Sequence, residues 1–279
     1  MTRIIKSPRG MQRWSLEPNR QIGFVCTMGA LHEGHLSLIR EARRQCKDVV
    51  VSILVNPLQF GPNEDYGAYP RTFEADYEAC EQIGVDIIFA PEVSQIYPKD
   101  FQTRVIGSDL NRLYCGVTRP VFFNGVLTVV NILYNIVQPQ KGFWGEKDFQ
   151  QMHLVRQMAK DFFWPAEIIG MPIIREENGL AMSSRNNYLT NAQKEEAACL
   201  FRGILAAQEA FKTGERNSKA LIEVAQKQIT LEIDYLALVS AKTLMPIEGQ
   251  VTEPTRLLLA AYIGQAPRVR LIDNGSLSA

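Results

Sequence analysis

The sequence predicts an α/β fold, in which a Rossmann-like, doubly wound parallel sheet is followed by a smaller C-terminal α+β domain. Short runs rich in β-branched residues alternate with helix-like segments through the first two-thirds of the chain. The run DVVVSILV at 48–55 is almost entirely apolar, as expected for a strand covered on both faces. A β-α-β-α-β order implies a parallel sheet with helices on both sides.

The strands and helices of both domains can be predicted in chain order. In the first domain, strands are expected at 22–27, 48–55, 86–89 and 166–170, and helices at 35–46, 72–83, 126–137 and 148–162. Thr72 is a suitable N-cap for the helix at 72–83, and Gly84 lies just beyond its end. In the second domain, helices are expected at 192–212 and 218–232, before β-rich runs at 235–239, 256–263 and 269–272. We place the domains at 1–182 and 183–279.

Composition excludes several classes of protein. The chain has 279 residues, 46% of them hydrophobic and 22% charged, which are globular values rather than those of a disordered or fibrous chain. Thirty basic and thirty acidic residues cancel, which argues against a nucleic-acid partner. The five cysteines form no C-x-x-C pair, so a zinc ribbon is not expected. The N-terminal segment lacks the apolar region of a secretory signal, and no apolar run is long enough to span a bilayer. We expect a cytoplasmic protein without a membrane partner.

The segment TMGALHEGHLSLIREA at 27–42 follows the first predicted strand. It contains His32 and His35, two of the three histidines in the chain, close to the expected start of a helix near Gly34. The free N–H groups and positive dipole end of a helix N-terminus attract phosphate, and imidazoles there donate hydrogen bonds to phosphate oxygens. The glycine-rich phosphate motifs G-x-x-x-x-G-K-[ST] and G-x-G-x-x-G are absent.

Two plainer interpretations of these histidines stay open. They are compatible with ordinary polar residues at a helix start. Metal ligation is less favoured, because His153 is the only other histidine and the H-E-x-x-H spacing is absent. No protein metal site is therefore predicted.

Three further segments carry candidate binding groups. AMSSR at 181–185 combines two hydroxyls with a guanidinium, which suits a phosphate clamp or a solvated turn. GEKD at 145–148 places Lys147 at another helix start, either as a phosphate cation or as surface charge beside a capping Asp148. VNPLQFGP at 55–62 follows the strand at 48–55, where open α/β sheets bind ligands, and Gln59 there offers both a donor and an acceptor. The alternative is a Pro-rich turn.

Taken together, these segments resemble the pantothenate synthetase (pantoate–β-alanine ligase) family of the HIGH-motif nucleotidyltransferase superfamily. The resemblance runs in order through TMGALHEGHLSLIREA, VSILVNPLQFGPNEDYGAYPRT, NIVQP, GEKDFQQ and REENGLAMSSRNNYL, and covers about residues 23–189. It implies that ATP and (R)-pantoate form pantoyl adenylate and pyrophosphate, with Mg²⁺ on the triphosphate. The amine of β-alanine would then displace AMP to give pantothenate. It further implies a homodimer and a C-terminal lid domain.

The resemblance also assigns residues by motif. His35 would be the catalytic residue, as a proton donor or as a stabiliser of phosphoryl charge. Gln59 would bind pantoate and lie near β-alanine, and Gln151 would bind pantoate. The residues implied in ATP binding are Met28, Gly29, Ala30, Leu31, His32, Glu33, Gly34, His35, Gly145, Glu146, Lys147, Asp148, Ile174, Met182, Ser183, Ser184 and Arg185.

The chain departs from the usual family pattern at three positions. Cys26 stands in place of a proline, which we interpret as a packing change. Phe122 stands where the family usually has histidine, and Ile132 where it usually has lysine. The last two remove polar groups near the expected site. Two alternatives stay open besides the ligase. One is a nucleotidyltransferase acting on a phosphorylated acceptor, and the other is a catalytically weak binding protein on the same fold, which only Phe122 and Ile132 support.

Overall fold

The computed structural model describes residues 1–62, 64–265 and 268–277. Its strands are β1 (Arg3–Ile5), β2 (Ile22–Thr27), β3 (Asp48–Ile53), β4 (Ile87–Phe89), β5 (Lys141–Gly145), β6 (Glu167–Met171), β7 (Glu232–Ser240), β8 (Thr255–Ile263) and β9 (Val269–Ser276). Its helices are α1 (Pro8–Ser15), α2 (Glu33–Gln45), α3 (Phe73–Ile83), α4 (Val93–Ile96), α5 (Cys115–Thr118), α6 (Phe122–Val137), α7 (Phe149–Asp161), α8 (Asn191–Ala197), α9 (Cys199–Lys212) and α10 (Ser218–Gln226).

The chain divides into two compact units. The first comprises Met1–Glu146 and Gln151–Pro172, and the second comprises Lys147–Gln150 and Ile173–Ala279. This division falls ten residues before the domain boundary expected at 182/183, and it assigns the short segment Lys147–Gln150 to the second unit. The expected boundary, which was placed where the character of the sequence changes, stays a prediction.

The first unit is built on a six-stranded sheet in the order β1-β4-β3-β2-β5-β6, with every pair parallel. The chain proceeds from β2 through β3 to β4 in one direction, whereas β5 and β6 lie on the other side of β2. Ligands bind in open α/β sheets at the carboxyl ends of the strands where the order reverses. The predicted doubly wound architecture is confirmed.

The pairing of β2 with its two neighbours differs in length. With β3 it pairs over six residues, from Ile22 with Asp48 to Thr27 with Ile53. With β5 it pairs only at Gly23 with Lys141 and at Phe24 with Gly142. The carboxyl-terminal half of β2 is therefore not paired with β5, at the point where the strand order of the sheet reverses.

The core of the sheet explains the apolar run of β3. Val49 and Val51 pack with Val25, Ile39 of α2 and Ile88 in one buried cluster. On the other face α6 packs against the sheet. There a Cβ at Gly142 would lie 1.8 Å from the hydroxyl oxygen of Tyr134, so glycine is required in β5.

The second unit contains the antiparallel sheet β7-β8-β9 with α8, α9 and α10, which confirms the expected α+β architecture. The single helix predicted at 192–212 is wrong: α8 ends at Ala197 and α9 begins at Cys199, because the backbone at Ala198 turns to φ −60° and ψ −14°. The helix predicted at 218–232 ends at Gln226, since β7 begins at Glu232. No helix among the residues described has the length and apolar character needed to cross a membrane.

Candidate active site

The loop that leaves β2 is fixed by a carboxylate that the sequence analysis did not single out. Gly29 and Ala30 have positive φ angles of 82° and 52°. The side chain of Asp76 in α3 accepts hydrogen bonds from the backbone N–H of Ala30 at 3.0 Å and of Leu31 at 2.8 Å, and it is 2% exposed. A Cβ at Gly29 would lie 2.9 Å from an Asp76 oxygen, so this close approach requires glycine.

His32 and His35 cap α2 in a reciprocal arrangement. The backbone N–H of Gly34 donates to Nδ1 of His32 at 3.2 Å, and the backbone N–H of His32 donates to Nδ1 of His35 at 3.4 Å. The two ring centres are 4.1 Å apart. A neutral imidazole whose Nδ1 accepts a hydrogen bond carries its proton on Nε2. Both rings therefore act as Nε2–H donors at the start of this helix, one residue before the expected position.

Gln59 is held by an amide network at the carboxyl end of β3. The Asn56 Nδ2 atom donates to the Gly125 carbonyl at 3.1 Å and to Oε1 of Gln59 at 3.0 Å. Asn56 Oδ1 accepts from the backbone N–H of Leu58 at 3.2 Å and from the Tyr97 hydroxyl at 2.7 Å. Burial raises the pKa of Tyr97, which keeps its hydroxyl a donor.

This network fixes the chemical identity of the Gln59 end group. A backbone carbonyl can only accept and a backbone N–H can only donate, so the amide of Asn56 has one orientation. Gln59 Oε1 is consequently the accepting atom, and its Nε2 is the donor. That Nε2 lies 3.2 Å from Sδ of Met28, so the segments expected around Met28 and Gln59 meet within the first unit. Gln59 is only 8% exposed and ends the short 3₁₀ turn Pro57–Gln59, so the Pro-rich turn expected here is a buried one.

The three atypical positions are packing positions. Phe122 is 8% exposed, and its ring lies 5.0 Å from that of Phe123. Ile132 is half-buried in α6. Desolvation raises the pKa of the Cys26 thiol to about 11, so that the thiol stays neutral at physiological pH.

The second unit carries the turn that contains Lys147. The Lys147 ammonium lies 3.5 Å from a carboxylate oxygen of Asp148, and its side chain is 20% exposed. The Lys147 carbonyl accepts a hydrogen bond from Nδ2 of Asn274 at 2.8 Å. Gln151 follows in α7 as a half-buried residue of the first unit.

The second unit also brings Ile174 and Met182 together in a hairpin. The backbone N–H of Met182 donates to the Ile174 carbonyl at 3.0 Å. Ser183 caps the next 3₁₀ turn, and its hydroxyl oxygen accepts from the backbone N–H of Arg185 at 3.3 Å. Ser184 is buried, and Met182, Ser183 and Arg185 are half-buried, so the turn expected here is only partly solvated.

The comparisons with known proteins decide the family. The family model described as pantoate–β-alanine ligase matches residues 3–276. The chain belongs to the pantoate–β-alanine ligase family. A pantothenate synthetase from Geobacter sp. (strain M21) is 48% identical over 278 residues, covering 98% of each chain. A pantothenate synthetase from Thermotoga neapolitana is 45% identical over 279 residues, again covering 98% of each chain.

Solved structures of the pantoate–β-alanine ligase family share the fold. The pantothenate synthetase of Thermus thermophilus superimposes with a TM-score of 0.93 at 41% identity and covers 100% of each chain. A pantoate–β-alanine ligase from Francisella tularensis, crystallised with β-γ ATP and β-alanine, superimposes with a TM-score of 0.80 at 35% identity. It covers 100% of this chain and 99% of its own. The resemblance found in the sequence is thus confirmed over the whole chain, and the chain is an enzyme of this ligase family.

Proposed function

We propose that this ligase joins (R)-pantoate to β-alanine through a pantoyl adenylate, releasing pyrophosphate and AMP. The observation that carries the proposal is the pair of imidazoles at the start of α2. His32 and His35 follow the carboxyl end of β2, where the strand order of the sheet reverses. Two Nε2–H donors and a helix N-terminus form a binding place for phosphate.

The reaction requires charge to be stabilised at the α-phosphate. A pantoate carboxylate oxygen would attack the α-phosphorus of ATP, and the bond from that phosphorus to the bridging oxygen of pyrophosphate would break. The β-alanine amine would then attack the acyl carbon, expel AMP and lose a proton as the amide forms. Donors aimed at the phosphoryl oxygens and a cation for the departing pyrophosphate lower the barrier of the first step. His35 and Lys147 supply these two groups in the proposal.

Nucleotide binding is assigned to the residues that the family motifs indicate. We assign to ATP, which enters as its Mg²⁺ complex, the residues Met28, Gly29, Ala30, Leu31, His32, Glu33, Gly34, His35, Gly145, Glu146, Lys147, Asp148, Ile174, Met182, Ser183, Ser184 and Arg185. Magnesium bound to nucleotide takes most of its ligands from phosphate and water. Within the described part of the chain, no group of three or more His, Cys, Asp or Glu residues is arranged to hold a metal ion.

Pantoate recognition is assigned to Gln59 and Gln151. The fixed orientation of Gln59 presents an N–H donor, which suits the carboxylate or a hydroxyl oxygen of a hydroxy acid. We place β-alanine near Gln59 as well. An acceptor bearing a phosphate group would call for additional cations, whereas the side-chain contacts of Gln59 and Asn56 are to amides, a phenol, a thioether and backbone groups. The cation beside Gln59 is Arg119, whose guanidinium is paired with Glu64.

The direct test is a product assay. Purified protein is incubated with MgATP, (R)-pantoate and β-alanine, and we expect equal amounts of pantothenate and AMP by mass spectrometry. Omission of β-alanine should leave a single-turnover burst of pyrophosphate, which reports the adenylate. Production of ADP instead of AMP, or binding of ATP without any burst, would contradict the proposal.

Two further properties belong to the same proposal. We propose a cytoplasmic enzyme, because all five cysteines are free thiols, as in a reducing compartment. We also propose a homodimer, which light scattering after size-exclusion chromatography tests directly: a mass near twice 31.5 kDa is expected, and a mass near 31.5 kDa would contradict it.

A further inference from the structure

Two neighbouring residues of β9 contact both ATP-assigned segments of the second unit. Asp273 and Asn274 are 3% and 2% exposed. The Asp273 carboxylate accepts from the two terminal nitrogens of Arg175, at 2.6 and 3.0 Å. Arg175 follows Ile174 in the hairpin that leads to Met182. Its guanidinium also donates to the Gly179 carbonyl at 3.0 Å, which spans the turn of that hairpin.

Asn274 holds the other segment. Its Nδ2 donates to the Lys147 carbonyl at 2.8 Å, and its Oδ1 accepts from Arg256 of β8 at 2.6 Å. Because a guanidinium can only donate, the amide has one orientation, with its N–H directed at Lys147. The Arg256 guanidinium lies 4.1 Å from the centre of the Phe149 ring, so a second contact fixes the same turn.

The charged groups of Arg175 and Lys147 also interact electrostatically with the Asp273 carboxylate. Burial raises the pKa of Asp273, while hydrogen bonding and charge from Arg175 and the charge of Lys147 act in the opposite direction. The ammonium of Lys147 is thus close enough to act on the buried carboxylate. Removal of one partner from a buried ion pair is strongly destabilising, so Arg175 and Asp273 are expected to depend on each other.

We propose that Asn274 is a positioning residue for adenylation, which sets the place of the Lys147 side chain by holding its backbone carbonyl. Asp273 does the same for the Ile174–Met182 hairpin through Arg175. The inference rests on the proposed function in that Lys147 and the hairpin are assigned to ATP. Lysine has a long and flexible side chain, so the reach of its ammonium depends on a fixed backbone. Misplacement of a catalytic cation by about 1 Å costs roughly 10²-fold in rate.

The test compares Asn274→Asp with the wild type. Aspartate has the same size and still accepts from Arg256, but it cannot donate to the Lys147 carbonyl. We expect a loss of roughly tenfold in ATP affinity and in kcat/KM for ATP. The KM for pantoate should change less than about twofold, because the substitution leaves pantoate contacts intact. Asn274→Ser, which is too short to reach Lys147, should give the same split if the aspartate variant does not fold.

Leu271→Ala is the matched control. Leu271 lies in β9 and is 4% exposed in the apolar core of the second unit, so its truncation weakens the same sheet. We expect it to lower the melting temperature without changing the KM for ATP. A Leu271→Ala variant with the same loss of ATP affinity would overturn the proposal, because general loosening of the sheet would then explain both variants.

A double-mutant cycle with Lys147→Ala completes the test. If Asn274 acts through Lys147, the double variant binds ATP no more weakly than Lys147→Ala alone. Full additivity would overturn the proposal, and so would unchanged ATP affinity in Asn274→Asp. ATP affinity is measured by calorimetry without pantoate. A wild type that binds ATP but makes no pantothenate therefore contradicts the proposed function and still leaves the role of Asn274 decidable.

Discussion

The guanidinium carbon of Arg119 lies 3.7 Å from the centre of the Phe122 ring. Arg119 also donates to the carboxylate of Glu64, at 2.8 Å from Nε, and to the Gln59 carbonyl at 3.4 Å. The Phe122 ring therefore packs against the Arg119 guanidinium, which contacts the backbone carbonyl of Gln59, a proposed pantoate-binding residue. Phe122 thus has a packing role of its own at the position where the resemblance led us to expect histidine.

This arrangement predicts the outcome of restoring the family residues. We expect Phe122→His with Ile132→Lys to leave adenylation no faster and to lower the melting temperature. The histidine would lose packing and cation–π energy under Arg119, about 1–3 kcal/mol in all. Since Ile132 is half-buried, the new lysine can extend partly to solvent, and the main cost falls on Phe122. Single-turnover pyrophosphate release and thermal melting measure the two effects, and faster release at an unchanged melting temperature would contradict the interpretation.

The second prediction concerns the carboxylate under the β2 loop. Asp76→Asn should raise the KM for ATP by roughly tenfold, because one backbone N–H of Ala30 or Leu31 would face an amide N–H instead of an acceptor. The loop assigned to ATP would then lose its fixed conformation. Steady-state kinetics with ATP and with pantoate varied separately measure the change.

Glu74→Gln is the control for this variant. It makes the same change of charge in the same helix, and Glu74 is exposed. We expect its KM for ATP to equal that of the wild type. Similar KM values for Asp76→Asn and Glu74→Gln would show that the carboxylate does not position the loop.

Local sequence patterns predicted the elements that are marked by a long apolar run or by a residue that ends a helix. The apolar β3 and the helix closed by Gly84 were predicted to within two residues of their observed ends. Five named elements of the first unit were not predicted. Strand β1 has three residues, α4 and α5 have four each, α1 contains Gly10, and β5 contains two glycines. The break between α8 and α9 was missed because no glycine or proline marks it.

Candidate site residues were predicted where a motif is continuous in sequence, and contacts that span the chain were missed. The roles of the candidate residues stay predictions. His32 and His35 share one segment, so the cap they form follows from their spacing. Asp76 contacts a loop 45 residues earlier, and Asn274 contacts Lys147 across 127 residues. A lone acidic residue in a helix or a lone amide in a strand has many ordinary uses. Only the folded chain shows which backbone groups they hold.

The third prediction follows from the fixed amide of Gln59. Gln59→Leu should reduce the use of pantoate far more than the binding of ATP, because the substrate oxygen is left without its donor. Gln59→Glu is the sharper variant: it keeps the acceptor for Asn56 and replaces only the donor with an oxygen. We expect kcat/KM for pantoate to fall by about 10²-fold in both variants. An equal loss of affinity for ATP would indicate distortion of the loop instead.

The last prediction separates two roles of His35. Its Nδ1 accepts the backbone N–H of His32, so the neutral ring carries its proton on Nε2. A neutral imidazole is a very weak acid, so the ring could transfer a proton only from the imidazolium form. That form protonates Nδ1 and breaks the cap of α2. The geometry therefore favours a neutral hydrogen-bond donor that stabilises phosphoryl charge.

Three substitutions test this assignment. His35→Ala should slow adenylation by ~10²-fold or more with little effect on folding. His35→Asn should be as slow, since its side-chain oxygen can replace Nδ1 in the cap but no donor remains at the place of Nε2. His35→Gln, whose amide nitrogen approaches the place of Nε2, should recover part of the rate without changing the pH profile of pyrophosphate release. A glutamine variant as slow as alanine, together with loss of one limb of that profile, would assign proton transfer to His35. Near wild-type release by the alanine variant would remove this residue from catalysis altogether.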